Sequence, residues 1–137
     1  MKYVLYFPLL AVLLIAYNII MMTSDVFTVN PVMFSIPLMA NDSSFPVHVS
    51  EFMAMLAALL LYFEILKATR YSSGAIIDHA LSMVVFVIFL VEFIVVPGAG
   101  TATFMILTLM ALLDVVAGFT VTISTARRDI AFGGDHG

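Results

Sequence analysis

EFIVVPGAGTATFMILTLMALLD, residues 92–114, contains the end of one apolar run, a Pro-Gly turn and the start of the next, with a carboxylate at each extremity. The runs on either side, 75–96 and 102–125, are long enough to cross about 30 Å of hydrocarbon, so the solvent they imply is a bilayer. An ionised carboxylate inside one costs on the order of 3 kcal/mol. Glu92 and Asp114 therefore each need a depth and a partner.

Composition carries the same message. Of 137 residues, 64% are hydrophobic and 10% charged, and the mean hydropathy is +1.18. These values describe an integral membrane protein and not a soluble domain. The net charge of −4 and the lack of a basic patch argue against a nucleic-acid partner. The absence of cysteine excludes thiol redox chemistry, iron–sulfur clusters and thiolate metal sites. With ten methionines and no tryptophan, any interfacial belt has to be built from Tyr and Phe.

Four runs of roughly 19 to 23 residues are long enough to span. The first covers about residues 4–22, with Pro8 in its opening turn, and continues through Ile19, Ile20, Met21 and Met22. It is longer than a signal-peptide core, which predicts a retained helix. The second, about 49–69, opens at Ser50-Glu51, a cap followed by an acid at the positive end of the helix dipole. The third, 75–96, stops at Pro97-Gly98-Ala99-Gly100, and the fourth, 102–125, follows at once, so the two form an antiparallel hairpin. Residues 126–137 read as a polar, frayed cytoplasmic tail. The expected fold is a single all-α transmembrane domain, an antiparallel bundle of four helices.

Residues 23–48 form a long outer loop with no Lys or Arg. Its prolines break any long helix. The alternation of Val32, Phe34, Ile36 and Leu38 suggests an extended piece on the membrane surface or on the helices, with a short interfacial helix as the other choice. A connection of this length is expected to be functional or docked, and it is the natural place for a partner surface. Asn41-Asp42-Ser43 also fits a glycosylation pattern, a short and weak signal.

All five basic residues, Lys2, Lys67, Arg70, Arg127 and Arg128, fall at one end of these runs. The positive-inside rule then places both termini in the cytoplasm, in a membrane of the bacterial inner-membrane type.

At about 1.5 Å per residue, Asp114 falls near the midplane and Glu92 in the outer third. At about 100° per residue, Asp78, Ser82, Val85, Phe89, Glu92 and Val96 share one stripe, and Ala111, Asp114, Gly118, Val121 and Thr125 another. Both acids thus point into protein, with Thr108, Ser82 or Tyr62 as hydrogen-bond partners. The small residues Ala111, Ala117 and Gly118 suit close packing of helices in lipid. Glu64, one turn before Lys67, and Asp78, in the first turns of its helix, read as interfacial acids with a cation in reach.

His48 and Glu51 have a spacing that puts two ligands on one helical face, but zinc normally takes more, so they are weak metal candidates that would need Asp25 or Asp42. His79 lies at the wrong depth to pair with His48 around a haem, and no cofactor is expected. There is no nucleophile constellation and no phosphate-binding loop, so an enzyme is not expected. Cysteine pairs, several helix arginines or a first-helix glutamate would mark other small four-helix membrane families, and none is present. The leading expectation is a structural or assembly subunit of a membrane complex, or a homo-oligomer. Its buried acids would specify helix packing, its partners being lipid and other membrane subunits or copies of itself. The alternative is a small proton- or cation-coupled transporter or channel using Glu92 and Asp114.

Overall fold

A computed structural model describes residues 7–70 and 75–133. Its frame is three long helices, α3 (Val49–Arg70), α4 (Ala75–Val95) and α5 (Ala102–Gly133), which follow a shorter α1 (Leu9–Thr23) and a single-turn α2 (Val26–Val29). The helices α3, α4 and α5 are long and apolar enough to cross a membrane. At about 1.5 Å per residue, the 15 residues of α1 rise only about 22 Å.

The boundaries have local causes. In α3 the acid Glu51 lies in the first turn and Lys67 and Arg70 in the last, the arrangement that complements the helix dipole. Between α4 and α5, Pro97–Ala99 forms a single 3-10 turn. Thr101 then caps α5, its Oγ1 accepting the Phe104 N–H at 3.1 Å. Such a cap is worth about 1 kcal/mol. With so short a link, α4 has to pack antiparallel on α5, which also packs against α3.

Three expectations change, two of them about helix boundaries. The first helix begins at Leu9 and not near residue 4: Pro8 is its N-cap, in extended conformation with ψ 123°, and residues 4–6 lie outside the described ones. The fourth long run continues as helix to Gly133, well past residue 125, because Ala126-Arg127-Arg128 supplies good helix formers where a frayed tail was expected. The chain is also not all-α.

That last difference lies in the 23–48 segment. It folds as α2 followed by an antiparallel hairpin of β1 (Val32–Leu38) and β2 (Ser43–His48). The turn is made by Asn41 (φ 63°) and Asp42 (φ 47°), successive left-handed residues as in the type I′ turn that suits a strand hairpin. The hairpin is tied down at its root. Asn30 Nδ2 donates to Ser50 Oγ at 2.9 Å, the Ser50 N–H donates to Asn30 Oδ1 at 3.0 Å, and the Val49 N–H donates to the Pro31 carbonyl at 3.1 Å.

The buried core runs through the helices and not through the hairpin: Leu10, Tyr17, Ala57, Phe89, Phe104, Leu107 and Ala111 are all enclosed. Tyr17 stacks on Phe27 with ring centroids 4.0 Å apart and meets Phe104 edge-on at 4.9 Å. Aromatic pairs of this kind add about 1 kcal/mol beyond the area they bury. Large apolar side chains such as Ile76, Val84, Val91 and Ile94 of α4 remain exposed, a surface that costs little in lipid and much in water.

Candidate functional site: two polar clusters between the helices

One cluster lies where α3 ends and α4 begins. Glu64 and Lys67, three residues apart on α3, form an ion pair of 3.2 Å, and the same ammonium lies 3.0 Å from Asp78 Oδ1 on α4. The contacts to Glu64 Oε2 and Asp78 Oδ1 are ionic without hydrogen-bond alignment. Lys67 Nζ also donates to the Phe7 carbonyl at 3.1 Å.

Glu64 is 1% exposed, and its Oε1 accepts the backbone N–H of Leu9. The first N–H groups of a helix have no partner within it, and Pro8 offers no side-chain cap. A carboxylate from α3 therefore caps α1, at the end where the helix dipole favours an anion.

Asp114 enters this cluster from α5. It is 7% exposed, faces Ser82 of α4 across a shared cavity, and lies within electrostatic reach of Asp78 and Lys67. That small cavity, lined by Asp78, His79, Ser82, Asp114 and Gly118, separates the helices here. The His79 ring meets Phe119 edge-on at 3.8 Å and lies over Gly118, where a Cβ would fall 2.5 Å from its Nδ1. His79 Nε2 is buried with no hydrogen-bond partner among the described residues.

The second cluster is at the Pro-Gly end. Asn18 Nδ2 of α1 donates to Glu92 Oε2 of α4 at 2.7 Å and to the Leu14 carbonyl at 3.0 Å. Tyr17 and Thr101 share a hydrogen bond of 2.7 Å. Ser82, which faces Asp114, precedes Glu92 by ten residues on α4, about 15 Å along the axis. Glu92 and Asp114 thus belong to separate sites.

Ala111 is buried, Ala117 half-buried, and Gly118 receives the His79 ring. Of the three partners considered for the acids, Ser82 faces Asp114, whereas Thr108 bonds back to the Phe104 carbonyl and Tyr62 is exposed. His48 Nδ1 and Glu51 Oε2 are 2.9 Å apart, and the same carboxylate oxygen accepts the His48 N–H at 2.6 Å. Among the described residues no group of three or more His, Asp or Glu side chains is placed to hold a metal ion.

Asn18 to Glu92 and Glu64 to Leu9 are two of the contacts that the sequence alone does not predict. The first had a visible signal, since Asn18 is the only amide in an otherwise apolar run. The second had none, because a backbone N–H carries no sequence mark.

The chain matches no protein-family model, no curated protein and no solved structure. The site must be judged on its own chemistry. Its contacts close a triangle of polar links, in which Glu64 joins α3 to α1, Lys67 joins α3 to α4, and Asn18 and Glu92 join α1 to α4, while Ser82 and Asp114 attach α5 to α4. Interhelical hydrogen bonds in membranes average about 0.6 kcal/mol each, reaching about 1.7. Their value lies in register, since each link is satisfied in only one alignment of the helices.

Proposed function

We propose that this chain is a small four-helix membrane protein that serves as a structural or assembly subunit, either of a larger membrane complex or of a homo-oligomer. In this reading α1 is a short fourth span. It reaches from Glu64 at one end of the bundle to Gly98 in the α4–α5 turn, where a Cβ would fall 2.6 Å from Met21 Sδ. Four spans, with Lys67, Arg70, Arg127 and Arg128 at one end, put both termini on the cytoplasmic side. A bacterial inner membrane fits this arrangement.

The observation that carries the reading is that Glu64, Asp78, Asp114 and Glu92 each meet a partner on a different helix. Acids held this way fix which helix faces meet, which is how buried polar groups act as specifiers of packing. Purification from native membranes without cross-linking, followed by intact-complex mass spectrometry, tests it. A defined assembly should be recovered, and Glu92→Gln and Asp114→Asn should preserve it, because an amide still hydrogen-bonds. Recovery of a monomer alone would count against the proposal.

One observation favours the second reading, a proton- or cation-coupled transporter or channel. Around Lys67 three carboxylates face one ammonium, an excess of anionic groups that lipid does not tolerate unless protons or cations accompany them. That reading moves the exchanging site from the Glu92 and Asp114 pair to Asp114 with Asp78 and Glu64.

A further inference from the structure

The hairpin has two unlike faces. Cross-strand partners share a face, and neighbours along a strand alternate. The register pairs Phe34 with Val47, Ile36 with Phe45 and Leu38 with Ser43, and in alternation Ser35 with Pro46 and Pro37 with Ser44. One face is therefore Phe34, Ile36, Leu38, Phe45 and Val47, with Ser43 beside the turn, and the other is Ser35, Pro37, Ser44 and Pro46, with the Val32–His48 pair beyond an irregularity at the root of the hairpin.

Only Val47 of the apolar face is buried; Phe34, Ile36, Leu38 and Phe45 are exposed. Phe34 meets Phe52 of α3 edge-on at 6.4 Å. Phe52 heads an exposed stripe at helical spacing, Met55, Leu59 and Phe63, which faces acyl chains where α3 spans the bilayer. The apolar face of the hairpin continues that stripe outward.

Charge and edge chemistry point the same way. No charged residue occurs from Val26 to Asn41, and Asp42 sits at the turn, where it stays in water. A proline has no N–H and fits a strand pair only with its nitrogen turned away from the partner. Pro37 and Pro46 therefore interrupt the two outer edges, which blunts strand addition by another chain. What suits such an element is an apolar surface that asks for neither hydrogen bonds nor opposite charge.

We propose that the β1–β2 hairpin docks its Phe34, Ile36, Leu38 and Phe45 face on the lipid surface at the Pro-Gly end of the bundle. The bonds from Asn30 and Pro31 to the start of α3 hold it at the angle this requires.

The chain contains no tryptophan, so a single introduced one reports its own surroundings. The full chain carrying Ile36→Trp, and separately Ser35→Trp on the opposite face, is placed in phosphatidylcholine nanodiscs with and without bromine on the upper acyl chain. Ile36→Trp should emit to the blue of Ser35→Trp and lose more intensity in brominated lipid. Equal quenching of the two variants overturns the proposal. So does a blue-shifted Ile36→Trp that ignores bromine, which assigns the face to a second copy or another protein. Leu38→Trp repeats the measurement on the same face should Ile36→Trp not fold.

Discussion

The Glu64 carboxylate caps the backbone N–H of Leu9, fifty-five residues earlier in the chain. A helix whose own N-cap is Pro8 thereby takes its capping anion from a neighbouring helix, and the same carboxylate neutralises Lys67. Glu64→Ala leaves the N-terminus of α1 without its anion and Lys67 with Asp78 as its remaining close carboxylate. It should cost about 3 kcal/mol, the scale for breaking a buried pair by removing one partner. Glu64→Gln, which keeps an acceptor for Leu9, should cost less. Thermal unfolding in detergent, followed by circular dichroism, ranks the two.

Asn18 and Glu92 should show coupling. A double-mutant cycle of Asn18→Ala and Glu92→Ala is expected to return an interaction of about 0.6 to 1.7 kcal/mol. Additive single effects would mean that the 2.7 Å bond holds nothing together. Asn18→Asp, which sets two carboxylates against each other, should be worse than Asn18→Ala.

Gly118 should tolerate little. Gly118→Ala puts a Cβ against the His79 ring and should cost about 1 to 3 kcal/mol, the usual penalty for overpacking. His79→Ala in the same chain should recover most of that loss. Gly118→Leu should separate α4 from α5 whether His79 is present or not.

The helices were largely readable and the links between them were not. Apolar length announces a span, and helical spacing correctly placed Ser82, Val85 and Phe89 on one inward stripe, all three being buried. Glu64 and Lys67 could be paired because they are neighbours on one helix. Asn18 and Glu92 are seventy-four residues apart, and counting depth cannot say which helices are adjacent. The alternation from Val32 to Leu38 showed the extended first strand, but not its pairing with Ser43–His48, because Pro37 and Pro46 read as breakers yet sit at the outer edges of the hairpin. Asn41-Asp42, weighed as part of a glycosylation pattern, is the turn that closes it.

The turn supplies a further expectation. Asn41→Gly should be neutral or slightly stabilising, because the left-handed conformation at φ 63° suits glycine. Asn41→Val should cost about 1 to 2 kcal/mol, since a β-branched side chain is strained there. Amide hydrogen exchange of residues 32–38 and 43–48 reads the difference without disturbing the helices.

The claim that the buried acids specify packing and do not carry ions is tested most directly by proton flux. Wild type, Glu64→Gln, Asp114→Asn and Glu92→Gln are reconstituted into liposomes containing a pH-sensitive dye, under an imposed potential. Packing specifiers predict flux no greater than that of empty liposomes for all four proteins, with the recovered assembly unchanged in the amide variants. Wild-type flux above that baseline, abolished by any one of these substitutions, would contradict the account.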